Sequence, residues 1–320
     1  INGTIYSYGD LALTSNNISL LESGVIAQDE ASLADLYLTA SNNITNSGNI
    51  YGNNNIELVA ANELTNSGAI ESKKDLKVVI KSIFNSGVLL SGSNLNIVAA
   101  NNIINSGDIN ALSNARITAL DSIGMTSGSL IANNIDIQAA NDLDINGTIY
   151  SYGDLALTSN NISLLESGVI AQDEASLADL YLTASNNITN SGNIYGNNNI
   201  ELVAANELTN SGAIESKKAL NIEGLTFTNS GDVVSGDLAN IEVANNFVNN
   251  GAISSNSQLA LTASNITNSG AISAAGDASL NATDSIDVAS GSLVANNINA
   301  VAANNIDING TIYSYGDLAL

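Results

Sequence analysis

The chain has 320 residues, with 7 Lys and Arg against 31 Asp and Glu for a net charge of −24, and no His, Cys, Pro or Trp. So acidic a chain has no basic surface with which to neutralise phosphates, which argues against nucleic acid and anionic lipid as partners. Without Cys or His there is no disulfide framework, no thiolate or imidazole metal ligand, no cysteine nucleophile and no histidine base, so no cofactor and no catalytic centre are predicted.

Hydrophobic residues make up 44% of the chain but aromatic residues only 4%, so the core material is Ile, Leu, Val and Ala. The absence of Pro and the low content of charge oppose disorder. No run of about twenty apolar residues is present, so no membrane insertion is expected. The chain starts at Ile1 without a charged leader and reads as a piece of something longer.

From the first residues onward the chain repeats itself. A Gly, usually preceded by Asn-Ser, recurs from Gly3 through Gly24, Gly48, Gly68 and Gly87 to Gly310, at intervals of 19 to 21 residues with two of 24. Over this lies a longer duplication: residues 1–74 return unchanged as 145–218, and residues 1–13 return as 308–320. A period near twenty residues is the mark of a solenoid.

Within the unit that opens at Gly48, the apolar set Ile50, Ile56, Leu58, Ala60 and Leu64 falls at even offsets from the Gly. The unit at Gly251 repeats it with Ile253, Leu259, Leu261 and Ala263. Alternation with period two is the strand signature, and even positions are predicted to face one interior across the bends. No unit sustains the three-four spacing of a helix.

Asn marks the corners. Asn62, Asn101, Asn141, Asn206 and Asn265 sit at offset 13 or 14, while Asn46, Asn66, Asn85, Asn105, Asn190, Asn210 and Asn229 stand two residues before a Gly. At these corners Asn is expected to tolerate left-handed backbone and to stack from coil to coil as a ladder. Gly48, Gly68, Gly87, Gly107, Gly192 and Gly212 are expected to allow the tight bend that follows.

A twenty-residue unit cannot bury its own apolar face and must stack on copies of itself. The predicted fold is all-β, a right-handed parallel β-helix (β-solenoid) with about 20 residues per coil and about 15 coils. Residues 1–320 would form a single rod of roughly 75 Å at one strand spacing per coil. Ile1 and Leu320 both fall inside units, so uncapped ends would invite more coils or end-to-end association.

The unit Asn-Ser-Gly-x-Ile-x-Ser-x-x-x-Leu-x-Leu-x-Ala-x-Asn-x-Leu-Thr, seen in Asn66 to Ser72 followed by Leu76, Val78 and Ile80 and again in Ser269 to Ser273, resembles the repeats of filamentous haemagglutinin-like exoproteins of Gram-negative two-partner secretion systems. The resemblance spans the whole chain. It implies a secreted or cell-surface β-helical shaft, exported unfolded through an outer-membrane two-partner secretion transporter. Such a shaft carries adhesive regions or, in contact-dependent inhibition proteins, a receptor-binding tip and a toxin that meet a host or neighbouring cell. A chain without Cys suits export by threading.

Binding candidates lie on the outside of this expected rod. The two long units hold about four extra residues around Gln28 to Asp35 and Gln172 to Asp179, loops that include Asp29, Glu30, Asp173 and Glu174. All ten Tyr fall in the duplicated segments, and Tyr6, Tyr8, Tyr51, Tyr150, Tyr152 and Tyr195 form the candidate face for a glycan or a neighbouring rod. Lys73, Lys74, Lys77 and Lys81 form a basic island on two adjacent coils that could organise side-by-side packing. Phe84, Phe227 and Phe247, three or four residues before a Gly, are expected in the core. Asp142 and Asp144, two apart on one face, are the nearest thing to a carboxylate pair for polysaccharide chemistry, and they lack a base.

Overall fold

A computed structural model describes residues 1–320. Strands and turns make up the whole chain, with no helix. It divides into two compact units, Ile1–Ser159 and Asn160–Leu320, each of them a parallel β-solenoid.

One turn shows how either unit is made. After Gly68 the chain runs through a first segment, Ala69–Ser72, turns at Lys73 to Asp75, and continues as the strand Leu76–Asn85. That strand is bent near Lys81 into a second segment, Leu76 to Ile80, and a third, Ile83 to Asn85. Ala69–Ser72 pairs residue for residue with Asn49–Gly52 of the turn before and with Val88–Ser91 of the turn after. The second and third segments pair in the same parallel way on both sides. Eight first segments stack in each unit, which makes about sixteen turns in the chain.

The core is a set of columns, one residue per turn. In the first unit Ile26, Ile50, Ile70, Leu89, Ile109, Leu130 and Ile149 are fully buried from the first segment; in the second, Ile170, Ile194, Ile214, Val233, Ile253, Ile272 and Leu293 take that place. Each such side chain contributes about 1.5–3 kcal/mol by leaving water, and it does so only because a like residue lies above and below it.

The even-offset rule holds for the first two segments but not always beyond the second corner. In the 19-residue turn that opens at Gly68, the chain drops one residue between Ile80 and Ser82, so the inward residues become Ile83 and Asn85 at odd offsets. Turn lengths are thus reconciled at a corner, while strand pairing resumes in register on either side. The same slip decides the aromatic residues. Phe227 and Phe247, four residues before their Gly, are buried and meet edge to face at 5.7 Å. Phe84 stands three before Gly87, pairs with Thr65 and Ile104, and points out at 40% exposure, contrary to its expected place in the core.

The corner Asn residues act through their side chains. No residue other than Gly has a positive φ, so left-handed Asn backbone plays no part. Instead the Nδ2 of Asn46 donates to Oδ1 of Asn66 at 2.8 Å, Asn66 to Asn85 at 2.7 Å, and Asn85 to Asn105 at 2.7 Å, all buried. In the second unit the ladder runs Asn190, Asn210, Asn229, Asn249 and Asn268 at 2.7–2.8 Å. The second amide proton of each rung turns to backbone carbonyls, as Asn66 does to Gly68 and Val88. In this way each rung satisfies the next along the polar stripe inside the apolar core. The first acceptor of each ladder, Asn46 Oδ1 and Asn190 Oδ1, is left buried without a partner; Asn46 faces a turn where Leu20 holds the equivalent position.

The adjoining Gly is required by close approach. A methyl group on Gly68 would overlap the carbonyl oxygen of Gly48 in the turn before, and the same holds from Gly87 to Gly107. The backbone at this corner packs directly on the turn beneath, so no side chain fits. Of these Gly only Gly128 has a positive φ, 72°.

Replacement of one buried rung tests the ladder. Asn85→Ala leaves one N–H of the Asn66 amide and the Oδ1 of Asn105 without their partners, so it should lower stability by about 1–3 kcal/mol, measured by urea unfolding followed by circular dichroism. Asn62→Ala removes a solvent-exposed bond to Asn43 and should cost less than about 0.5 kcal/mol.

Candidate functional site

The departures from uniform stacking are two loops. Gln28 to Asp35 leaves the first corner of its turn in the first unit, and Gln172 to Asp179 does so in the second. In both, the side chain that occupies the inward corner position is a Gln, buried where the other turns carry only the small residues Ser, Ala or Gly. Gln28 Nε2 donates to the carbonyl of Asp35 at 2.9 Å, and Gln172 Nε2 to those of Ala178 and Asp179 at 3.1 Å, so the base of each loop is drawn together across its neck.

The next turn then holds the loop from the side. Asn53 Nδ2 donates to the carbonyls of Glu30 and Ser32 at 2.6 and 2.8 Å, and Asn54 Nδ2 to the carbonyl of Leu33 and the carboxylate of Asp35 at 3.0 and 2.7 Å. Asn197 and Asn198 repeat this for Glu174, Ser176, Leu177 and Asp179. Within the loops, Asp29 and Asp173 each accept the backbone N–H two residues on, at 2.9 Å. The result is an ordered loop with an apolar tip: Leu33 is 88% exposed and Leu177 87%.

The structure places the candidate residues around these loops. Asp29 lies at the root of the first loop, where its Oδ2 accepts the Tyr6 hydroxyl at 2.8 Å, while Glu30 projects freely into solvent. That hydrogen bond, with the negative field of Asp29 and Glu30, pushes the Tyr6 phenol up to about 12. Tyr37 is likewise raised by donation to Asp35. Tyr6 and Tyr8 meet edge to face at 5.5 Å, as do Tyr150 and Tyr152 at 5.3 Å and Tyr313 and Tyr315 at 4.9 Å. Tyr51 carries the Lys73 ammonium over its ring at 5.6 Å, and hydrogen bonding to the Tyr51 phenol, with the charges of Glu71 and Glu30, raises Lys73 above its ordinary range. Tyr195 is 38% exposed, and Asp173 and Glu174 sit in the second loop as Asp29 and Glu30 do in the first.

The basic island is tighter than expected. Lys73, Lys74, Lys77 and Lys81 all belong to the single turn between Gly68 and Gly87, and Lys77 is spent on Glu57 of the preceding turn at 2.9 Å. No group of three or more His, Cys, Asp or Glu side chains is close enough to hold a metal ion.

The sequence profile of the haemagglutinin repeat matches residues 6–82, 76–124, 126–171 and 175–251. The chain belongs to the haemagglutinin repeat family. It is a filament- or adhesin-type repeat region of a family that is structural and adhesive, secreted or displayed on cell surfaces, and associated with two-partner secretion exoproteins. No curated protein and no solved structure matches it. No helix of this haemagglutinin-repeat chain is long and apolar enough to cross a membrane.

Asn53, Asn54 and Leu33 are the site residues that sequence reasoning passed over. Their signal is the triple Asn, which occurs only at 53–55 and 197–199, each time in the turn after a long one. Asn53→Ala removes two of the four side-chain bonds that Asn53 and Asn54 give the first loop and leaves the second loop intact. Amide hydrogen exchange of residues 29–34 should quicken while that of 173–178 stays as before, as mass spectrometry of peptides from the two loops would show.

Proposed function

We propose that the chain is the shaft of a secreted or surface-bound Gram-negative exoprotein. It is exported unfolded through an outer-membrane two-partner secretion transporter and holds an adhesive or toxin-bearing tip away from the cell. The observation that carries this reading is that every turn is completed by its neighbours in the same way, in register, over eight first segments in each unit. Residues 1–74 and their copy 145–218 are offset by seven whole turns, from Gly3 to Gly147, so the duplicated residues return at the same positions of the turn. Such construction suits a part whose property is length and stiffness rather than a single reacting centre, and we assign it no catalytic role.

A second reading is favoured by the loops. Leu33 and Leu177, each beside a solvated Glu, are the kind of rigid apolar anchor that an interface seats in a pocket. On that reading the shaft also binds along its flank, to a host receptor or to another rod.

Immunogold electron microscopy of producing cells, with antibodies raised against this chain, tests the shaft reading. Label spread along thin filaments rooted in the outer membrane is the expected result. Label confined to filament tips, or protein found only free in the medium as short particles, would overturn it.

A further inference from the structure

Two features of the unit Ile1–Ser159 complement each other. The first is the Leu33 tip, held out by Asn53 and Asn54 with Glu30 beside it. The second is a shallow hollow of about 200 Å³ on the same edge. Tyr51, Glu71 and Leu90 hold one outward position on three successive turns, and Leu112 at the first corner of a later turn closes the far side, itself 74% exposed. Gly92 also lines the hollow, where its backbone packs so closely on that of Lys73 that no side chain fits between them. The Lys73 ammonium lies at the rim, over the Tyr51 ring.

Knob and hollow match in chemistry. An apolar cavity of about 150 Å³ accepts benzene, so this one has room for the isobutyl group of Leu, and its rim cation suits the Glu that accompanies the knob. Within one molecule the hollow is not filled by the knob, because Leu33 stands in solvent, although the Glu30 and Glu71 charges of the same chain already act on Lys73. The loop leaves the first corner of its turn, and Lys73, Gly92 and Leu112 belong to the first corners of the turns that follow Tyr51, so knob and hollow lie along one edge, two to four turns or roughly 10–19 Å apart. Two molecules that face each other antiparallel on this edge bring knob to hollow twice, once in each direction, which is the condition for a closed twofold contact.

We propose that this edge is a homodimer interface in which Leu33 of each copy seats between Leu90 and Leu112 of the other, and Glu30 of each meets Lys73 of the other. The second unit supplies a natural control. It has the same loop with Leu177, but Val234 and Asn256 stand where the hollow has Leu90 and Leu112, and Lys217 is drawn into an ion pair with Glu215. Knob and hollow therefore come together only in the first unit.

Sedimentation equilibrium of the 320-residue chain from micromolar to millimolar concentration tests the contact. The wild type should show a monomer–dimer equilibrium, and Leu33→Glu and Leu112→Glu should each weaken it by at least about tenfold. Leu177→Glu should leave it unchanged. Glu30→Lys or Lys73→Glu alone should weaken the dimer, and the double variant should recover it. All of these side chains are exposed, so unchanged circular dichroism should accompany every variant. A chain that stays monomeric throughout, an association that survives Leu33→Glu, or one that Leu177→Glu impairs equally would overturn the proposal. None of these outcomes depends on whether the chain serves as a shaft.

Discussion

Parallel pairing of each residue with the residue about twenty positions on is the constraint from which the rest of the structure follows. A strand segment of three to five residues has no partner within its own turn, so its N–H and C=O groups must be met by the turns on either side. Once that register is set, side chains at one position stack on themselves through the unit. Every position then has to be filled with a residue that tolerates its own kind as a neighbour. Ile and Leu do so by packing, Asn by passing an amide bond from rung to rung, and Gly by letting one backbone lie on the next.

The same constraint explains where variation is allowed. Residues can be lost or gained at corners because pairing resumes on the far side, as it does around Lys81, Ala205 and Ser264. Four extra residues at the first corner make a loop and leave the flanking segments in place: Val25–Gln28 pairs with Asn49–Gly52, and Leu36–Ala40 with Ile56 to Ala60. What the extra residues do lose is the stacking that orders their neighbours. The triple Asn of the next turn replaces it with side-chain bonds to loop carbonyls, and so an apolar tip can be held out in water. Rigid display of Leu33 and the uniformity of the turns around it thus have one origin.

Much of this could be read in the sequence because a repeated unit states its pattern many times. Inward positions such as Ile50, Leu58 and Leu64, and the Asn two residues before Gly, recur so often that chance cannot produce them. The misreadings came where one turn differs from the rest. Phe84 was expected inside because it lies near the position of Leu64, yet the deleted corner residue shifts the alternation by one and turns it outward. The left-handed backbone expected of Asn is a property of isolated turns, whereas here the neighbouring turns already fix the corner and the Asn side chain is put to use inside. Asn53 and Leu33 were passed over because their roles depend on a contact between adjacent turns at a loop, which no single unit displays.

If a turn of about twenty residues is the true unit of this structure, whole turns are removable and fractions of turns are not. Deleting Gly87 to Ser106 joins Ser86 to Gly107 and preserves the Ser-Gly junction, the core columns and the register. Deleting Gly87 to Asn96 removes half a turn and sets every later apolar residue against the wrong neighbour. Thermal unfolding of the two variants followed by circular dichroism is the most direct test. The first should keep the β-sheet spectrum and a cooperative transition close to that of the parent, and the second should lose both over the affected unit. Equal loss in both variants, or equal tolerance of both, would contradict register-locked stacking as the basis of the fold.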